Sequence, residues 1–341
     1  MRELRLRWRR IRQVVSVFRA AYTNPFSVLL RLALVGKARA VTRDGRIVEG
    51  DRALLAAIAR LYGLGLSDKV LDKFLHLLTF QDKGSQATAS ATTRELIEKL
   101  YQLKHDLRCC SLMEVSDDLS YIVIEIEGKR ALIYGWHGIL GPDYDDYYHI
   151  LDVKGKSVLD VGAYVGESAI LFALMGARRV VAVEPSPWAY SMARRNVEVN
   201  GLDNVIKLVN CAVFKEEGKV LMLPSGETGI GFKANEITSG DVPVPTCTLD
   251  SLIEKYGPFD VLKMDCEGCE YDSIPYSRRV GEVKEILIEY HQGYEPIVKK
   301  LREEGFKTVR YSRFALSMCN SLRELSPSPV DPWLGCIYAT K

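Results

Sequence analysis

The segment Ser157-Val-Leu-Asp160-Val-Gly162-Ala163-Tyr164-Val-Gly166-Glu-Ser-Ala-Ile sets two glycines four residues apart between an apolar run and a helix-forming run. A strand that turns on glycine into a helix lets backbone approach a ligand closely and aims helix N–H groups at it. Val180-Val-Ala-Val-Glu184 ends in an acid twenty-two residues after Gly162, where a carboxylate can accept both hydroxyls of a ribose. The spacing G-x-x-x-G lacks the middle glycine of G-x-G-x-x-G that lets backbone close on a pyrophosphate. Asp160, just before the turn, suits a cationic ligand end and would repel a diphosphate. These features favour a sulfonium nucleoside, S-adenosylmethionine with its product S-adenosylhomocysteine, over a dinucleotide. Ala163, Tyr164, Pro185, Asn210 and Cys211 complete the expected cofactor pocket, and at Cys211, a poor acceptor, contacts fall to the backbone.

A second constellation lies further on, in Lys263-Met-Asp265-Cys266-Glu267-Gly-Cys269-Glu270 and in Glu289-Tyr-His291. A hydroxyl that attacks a methyl group must lose its proton, which requires a base within hydrogen-bond reach. Asp265, Glu267, Glu289 and His291 are the candidate catalytic residues. His291 is the preferred base because an imidazole titrates near neutrality and nearby carboxylates raise its proton affinity. Asp265 is the alternative base, or positions the acceptor or the cofactor amine. Glu267 is expected to hold its turn by accepting backbone N–H bonds. A strand-end histidine packed on a loop is the plain structural alternative. The same Asp/Glu/His set suits a divalent Mg²⁺ or Mn²⁺, although the favoured reading is metal-free. Cys266-x-x-Cys269 has redox or zinc spacing, but no second pair is evident beyond Cys109-Cys110, so these are read as small core residues. The eight cysteines form no regular framework and fit reduced thiols and a cytoplasmic setting.

Both constellations need rigid strands behind them. From about residue 151 the sequence alternates buried strand, turn and helix, which predicts a parallel sheet covered on both faces. Seven strands are expected at 157–161, 179–184, 205–210, 260–265, 285–291, 307–311 and 334–339. Helices are expected at 167–175, 187–200, 249–256, 270–274 and 295–304. Residues 218–224 and 241–248 add two strands around the glycine-rich loop 225–231, close to the expected substrate mouth.

The chain divides into a basic, mostly helical region over 1–115, a β-hairpin lead-in over 116–150 and the cofactor-binding domain over 151–341. Residues 1–40 hold nine Arg and one Lys against Glu3 alone, so a net charge of +2 hides a strongly basic end. Leu4, Trp8, Ile11, Val15, Phe18 and Tyr22 recur at helical spacing between arginines, and Asn24-Pro25 breaks the run. Such a face fits an anionic membrane surface through residues 1–34. Nucleic acid is the less favoured partner, and docking on a dimer mate or on the protein itself is the bland alternative. Asp44-Gly45 signals a two-residue hairpin within 38–49, two helices follow over 51–78 around Gly63-Leu-Gly65, and a further helix is expected over 93–104. Gly128-Lys129 marks a second hairpin between 121–127 and 130–136.

The runs Val158-Leu-Asp-Val-Gly-Ala-Tyr-Val-Gly166, Cys247-Thr-Leu-Asp250-Ser-Leu and Lys263-Met-Asp-Cys-Glu-Gly-Cys-Glu270 together resemble the FkbM methyltransferase family. The resemblance covers about residues 118–341, with the third run the most specific and Glu289 and His291 matching the Glu and His that follow the fifth strand. It implies a class I methyltransferase fold: a Rossmann-like α/β sheet of seven strands in the order 3-2-1-4-5-7-6, the seventh antiparallel. It also implies O-methylation of a hydroxyl on a sugar, glycolipid or related natural product. Tyr164 stands where the family commonly has Asn, and Cys266 and Cys269 replace small or aliphatic residues. An RNA methyltransferase is the runner-up, opposed by the lack of an Asn/Asp-Pro-Pro-aromatic motif after the fourth strand. A silent cofactor-binding scaffold is the reading from another class.

Overall fold

The computed structural model describes residues 14–79, 93–94, 97, 100–101, 110–126, 128–136, 146–223, 242–311 and 331–341. The chain forms two compact units, residues 1–107 with 111–122 and residues 108–110 with 123–341. The start of the basic helix, most of the helix expected over 93–104 and the loop 225–231 lie outside the described residues.

In the N-terminal unit, residues 14–21 are helical. Helix α1 (Pro25–Val35) then starts with proline in its first turn, where a missing N–H leaves nothing unpaired. Strands β1 (Lys37–Val41) and β2 (Ile47–Asp51) pair antiparallel. Their loop has three residues rather than the expected two. Thr42 N–H donates to the Arg46 carbonyl and Gly45 N–H to the Thr42 carbonyl. Gly45, at φ 88, supplies the left-handed residue that closes this longer turn. Helices α2 (Arg52–Gly63), capped by the Asp51 side chain, and α3 (Asp68–Thr79) follow, with Leu55, Ile58, Leu61, Val70 and Phe74 buried. The Tyr22 hydroxyl donates to the Leu55 carbonyl at 2.7 Å and satisfies the one polar atom of that buried ring. Strand β3 (Cys110–Val115) follows, and β4 (Tyr121–Ile126), from Val123 onward, and β5 (Lys129–Tyr134) belong to the C-terminal unit. Gly128, at φ 72, turns the chain between the last two.

The C-terminal unit is built on a seven-stranded sheet. Its strands are β6 (Ser157–Val161), β7 (Arg179–Val183), β8 (Ile206–Val209), β12 (Val261–Met264), β13 (Glu285–Tyr290), β14 (Lys307–Tyr311) and β15 (Gly335–Thr340). Spatial order is β14-β15-β13-β12-β6-β7-β8, and β15 runs antiparallel to both neighbours. Counted along the chain and read from the β8 edge, that is 3-2-1-4-5-7-6, the expected order. Every residue of β6, β12 and β13 is buried, as a parallel sheet covered on both faces requires. Helices α4 (Glu167–Leu174), α5 (Pro187–Val199), α6 (Leu249–Tyr256), α7 (Cys269–Ser273) and α8 (Glu295–Glu303) connect the strands. Short β9 (Ala212–Val213), with β10 (Val220–Leu223) and β11 (Val242–Cys247), forms a three-stranded sheet between β8 and β12, where the two extra strands were expected.

The cysteines depart from the expected reduced thiols. Cys211 is bonded to Cys247 and Cys266 to Cys269, with Cα separations of 5.9 and 5.5 Å, inside the range a disulfide spans. The first joins residues 36 apart in sequence, a proximity that only the folded insertion creates.

Gly162 fixes the meeting point of β6 and β12. It has φ 78, and a Cβ placed on it would lie 1.7 Å from the Asp265 carbonyl oxygen. Gly162→Ala should therefore cost at least about 3 kcal/mol, combining the left-handed penalty and overpacking against backbone. Urea denaturation of the full chain checks this, and a cost below about 1 kcal/mol would contradict the backbone contact.

Candidate active site

The glycine turn is held from behind by charge. Asp160 and Lys263 are register neighbours on β6 and β12, both buried. The Lys263 Nζ lies 3.0 Å from Asp160 Oδ1 and donates to the Gly162 carbonyl at 2.7 Å. Ser168 Oγ donates to Asp160 Oδ2 at 2.6 Å. Burial raises the Asp160 carboxyl above the ordinary range, while Lys263 and Ser168 pull it down. With both oxygens engaged and no exposure, Asp160 supports the turn and does not present itself to a ligand ammonium, as its sequence position had suggested. The N–H groups of Gly162 and Ala163 both donate to the Val183 carbonyl, and Ala163 is buried, so of the two only Gly162 lines a cavity.

Glu184 sits just beyond the end of β7 and is buried. Its Oε2 accepts the Tyr164 N–H at 2.9 Å and its Oε1 the Ser186 N–H at 2.8 Å, which aims the carboxylate and leaves each oxygen acceptor capacity for a ribose hydroxyl. Burial pushes its pKa up to about 7 against those bonds. Tyr164 holds φ 45, a left-handed conformation that Asn adopts more readily than an aromatic residue, and its ring packs on Trp188. Asn210 spends its amide on the carbonyls of Glu184 and Pro185. It thus shapes the loop after β7. A cavity of ≈ 630 Å³ opens at the carboxyl ends of these strands, lined among others by Gly162, Pro185, Cys211, Phe214, Glu267 and Tyr271.

Three of the four expected catalytic side chains converge on the fourth, the His291 imidazole. His291 Nε2 lies 3.4 Å from Glu267 Oε2, 3.5 Å from Glu289 Oε1 and 3.8 Å from Asp265 Oδ1. Its Nδ1 lies 3.0 Å from Glu270 Oε1. Burial alone would lower the proton affinity of His291, but the hydrogen bond to Glu270 and the charges of Glu270, Glu267 and Asp265 raise it above the ordinary histidine value. Tyr148 donates to Asp265 Oδ2 at 2.9 Å. The turn after β12 places Glu267 at φ 57. Gly268 N–H in this turn donates to Glu270 Oε2 at 2.9 Å, so Glu270 holds the turn. Lys263, Glu270, Tyr148 and Tyr271 are thus site residues that the sequence reading left out. Only the first two stood inside a motif that could have flagged them.

Donor atoms of Asp265, Glu267 and His291 lie within 4.8 Å of one another, a spacing a divalent ion tolerates. The raised proton affinity of His291 works against it, because a ligating nitrogen must first give up its proton.

The sheet order, the glycine turn, the acid after β7 and the cavity define a class I S-adenosylmethionine-dependent methyltransferase. Residues 160–308 match the family model described as the methyltransferase FkbM domain, so the similarity to that family covers most of the C-terminal unit. It is 28% identical over 194 residues to a protein of Methanocaldococcus jannaschii named, provisionally, as a protein N5-glutamine methyltransferase, covering 54% of this chain and 89% of that one. It is 39% identical over 64 residues to ribosomal protein L11 methyltransferase of Heliobacterium modesticaldum, only 19% of either chain. Among solved structures, ribosomal protein L11 methylase from Lactobacillus delbrueckii subsp. bulgaricus aligns with a TM-score of 0.34 and 17% identity, covering 57% of this chain and 75% of that one.

The Glu184 geometry has a pH consequence. Ribose hydroxyls donate to an ionised carboxylate, so cofactor binding must displace the proton that Glu184 holds below about pH 7. Affinity for S-adenosylhomocysteine should level off above that pH and weaken towards roughly tenfold per unit below it. Calorimetry across that range measures this, and the dependence should vanish in Glu184→Gln; a pH-independent wild-type affinity would show that Glu184 does not hold the ribose.

Proposed function

We propose that the chain is an O-methyltransferase acting on a hydroxyl of a sugar, glycolipid or related natural product. The observation that carries this reading is the convergence of Asp265, Glu267 and Glu289 on His291 Nε2, with Glu267 lining the cavity that Gly162 also lines. Carboxylate oxygens accept hydrogen bonds, and a polyol brings several donors to meet them. The phosphates of RNA would meet the same charges as repulsion.

S-adenosylmethionine supplies a methyl group already activated on a sulfonium, so the chain's main task is alignment, which can contribute roughly 7 to 11 kcal/mol. Glu267 and Asp265 hold the acceptor by accepting hydrogen bonds from its neighbouring hydroxyls, which leaves the attacking hydroxyl to donate to His291 Nε2. His291, when neutral at Nε2, takes the proton that the hydroxyl releases. Glu270 on Nδ1 fixes the tautomer and stabilises the resulting imidazolium. Asp265, oriented by Tyr148, lies where it positions the hydroxyl or receives the proton in place of His291. Glu289, buried 3.5 Å from Nε2, limits how the ring can turn.

The test is to incubate the protein with a host extract and methyl-labelled cofactor, then separate lipid, glycan, RNA and protein. Label in the glycan or lipid fraction is expected. Label in protein or RNA would replace the acceptor, and cofactor binding without label in any fraction would make the chain a silent binder. Asp265→Asn should lower turnover by at least about 10²-fold, the scale of a lost base or positioning group, with cofactor affinity changed only a few-fold.

A further inference from the structure

Helix α1 carries two apolar faces. Val28 and Leu32 point inward and are 0% and 9% exposed. Phe26, Leu30 and Leu34 follow one another at four-residue intervals and are 58%, 62% and 76% exposed, with Val35 at 74%. At 100° per residue the outer three centre directly opposite the inner two. A surface helix normally turns a polar face to water, and one that is apolar on both sides has a second partner.

The surroundings say what that partner is. From Val14 to Arg43 there is no acidic residue, while Arg19, Arg31, Lys37, Arg39 and Arg43 are all exposed. The Arg19 guanidinium stands 4.9 Å over the Phe26 ring, so one cation frames the patch directly. On β1 the exposure alternates, with Lys37 and Arg39 outward and Ala38 and Ala40 inward. The next acid, Asp44, is occupied by Tyr62 and Arg46. A second copy meeting this face through the same patch would bring five cations against five, which disfavours self-association. Eleven residues make a helix of about 16 Å, half the thickness of a bilayer core, and no helix among the described residues is long and apolar enough to cross a membrane. A helix of this kind lies along an anionic lipid surface with its apolar side sunk to the acyl boundary and its cations among the headgroups.

We propose that the outer face of α1, Phe26, Leu30 and Leu34 with the exposed arginines and lysine of this segment, docks the protein on anionic membrane lipid. The surface does not depend on the acceptor: a methyltransferase for a soluble saccharide could fail this test and keep its activity, so the two readings fail separately.

Full-length protein is sedimented with vesicles of phosphatidylcholine alone and of an equimolar mixture with phosphatidylglycerol. Binding to the mixed vesicles and little to the neutral ones is expected. Leu30→Asn with Leu34→Asn should weaken it by at least about tenfold, since two leucine side chains no longer leave water. Arg31→Gln with Lys37→Gln should weaken it less, in a manner that added salt mimics. Both pairs are exposed, so calorimetric binding of S-adenosylhomocysteine should be unchanged and reports that the fold is intact. No binding to mixed vesicles overturns the proposal, as does equal binding to neutral ones. Binding that survives the leucine changes would assign the contact to charge alone. A dimer in light scattering that the leucine changes dissolve would assign the face to a second copy.

Discussion

The site depends on one buried ion pair. Lys263 and Asp160 face each other across β12 and β6, with side chains 2% and 0% exposed. Moving both charges out of water costs about as much as their attraction returns, so the pair adds little to stability. What it supplies is position. The same ammonium that meets Asp160 donates to the Gly162 carbonyl, and Ser168 in the first turn of α4 donates to the other Asp160 oxygen. Strand, turn and helix are pinned to β12 at one point, which lets Gly162 pass within contact of the Asp265 backbone. A hydrophobic pair of similar volume would fill the space without directing the turn.

Beyond that clamp the electrostatics change character. Four carboxylates surround His291, which alone is placed to share a proton with all of them. Their mutual repulsion is relieved by protonating the imidazole, the direction in which its affinity moves. Glu270 holds the ring through Nδ1, and the Tyr271 hydroxyl accepts the backbone N–H groups of His291 and Gln292. Glu184, on the other side of the glycine turn, shows the opposite balance: two backbone donors against strong desolvation, and desolvation wins.

Much of this was legible in the sequence because parallel strands buried on both faces read as continuous apolar runs. β6 and β14 match the expected strands at both ends, and the other five core strands do so to within one residue. The convergence of Asp265, Glu267, Glu289 and His291 was legible too, since neighbouring strands that end together must bring their last residues together. What escaped was set by register and depth. Lys263 and Asp160 lie 103 residues apart, and nothing local says they are paired. Asp160 was read as facing a ligand because its type suited one, while the pleat turns it inward. Glu270 was missed as a support of the turn because only the backbone path decides which carboxylates fold back on it. The disulfides share that cause, for pairing 211 with 247 requires knowing that β11 returns beside β9.

That return also shapes the rest of the cavity. The nucleoside side of the cavity is made by the core, through Gly162, Val183, Pro185 and the turn after β12. The remaining wall, Phe214, Lys215, Leu221 and Leu223, belongs to the small sheet inserted between β8 and β12. The Cys211–Cys247 bond ties the two ends of that insertion together, so its strands are fixed at the core and free to vary away from it. The insertion thus adds an apolar wall and a single lysine to a cavity whose other lining comes from the core strands and the turns that follow them.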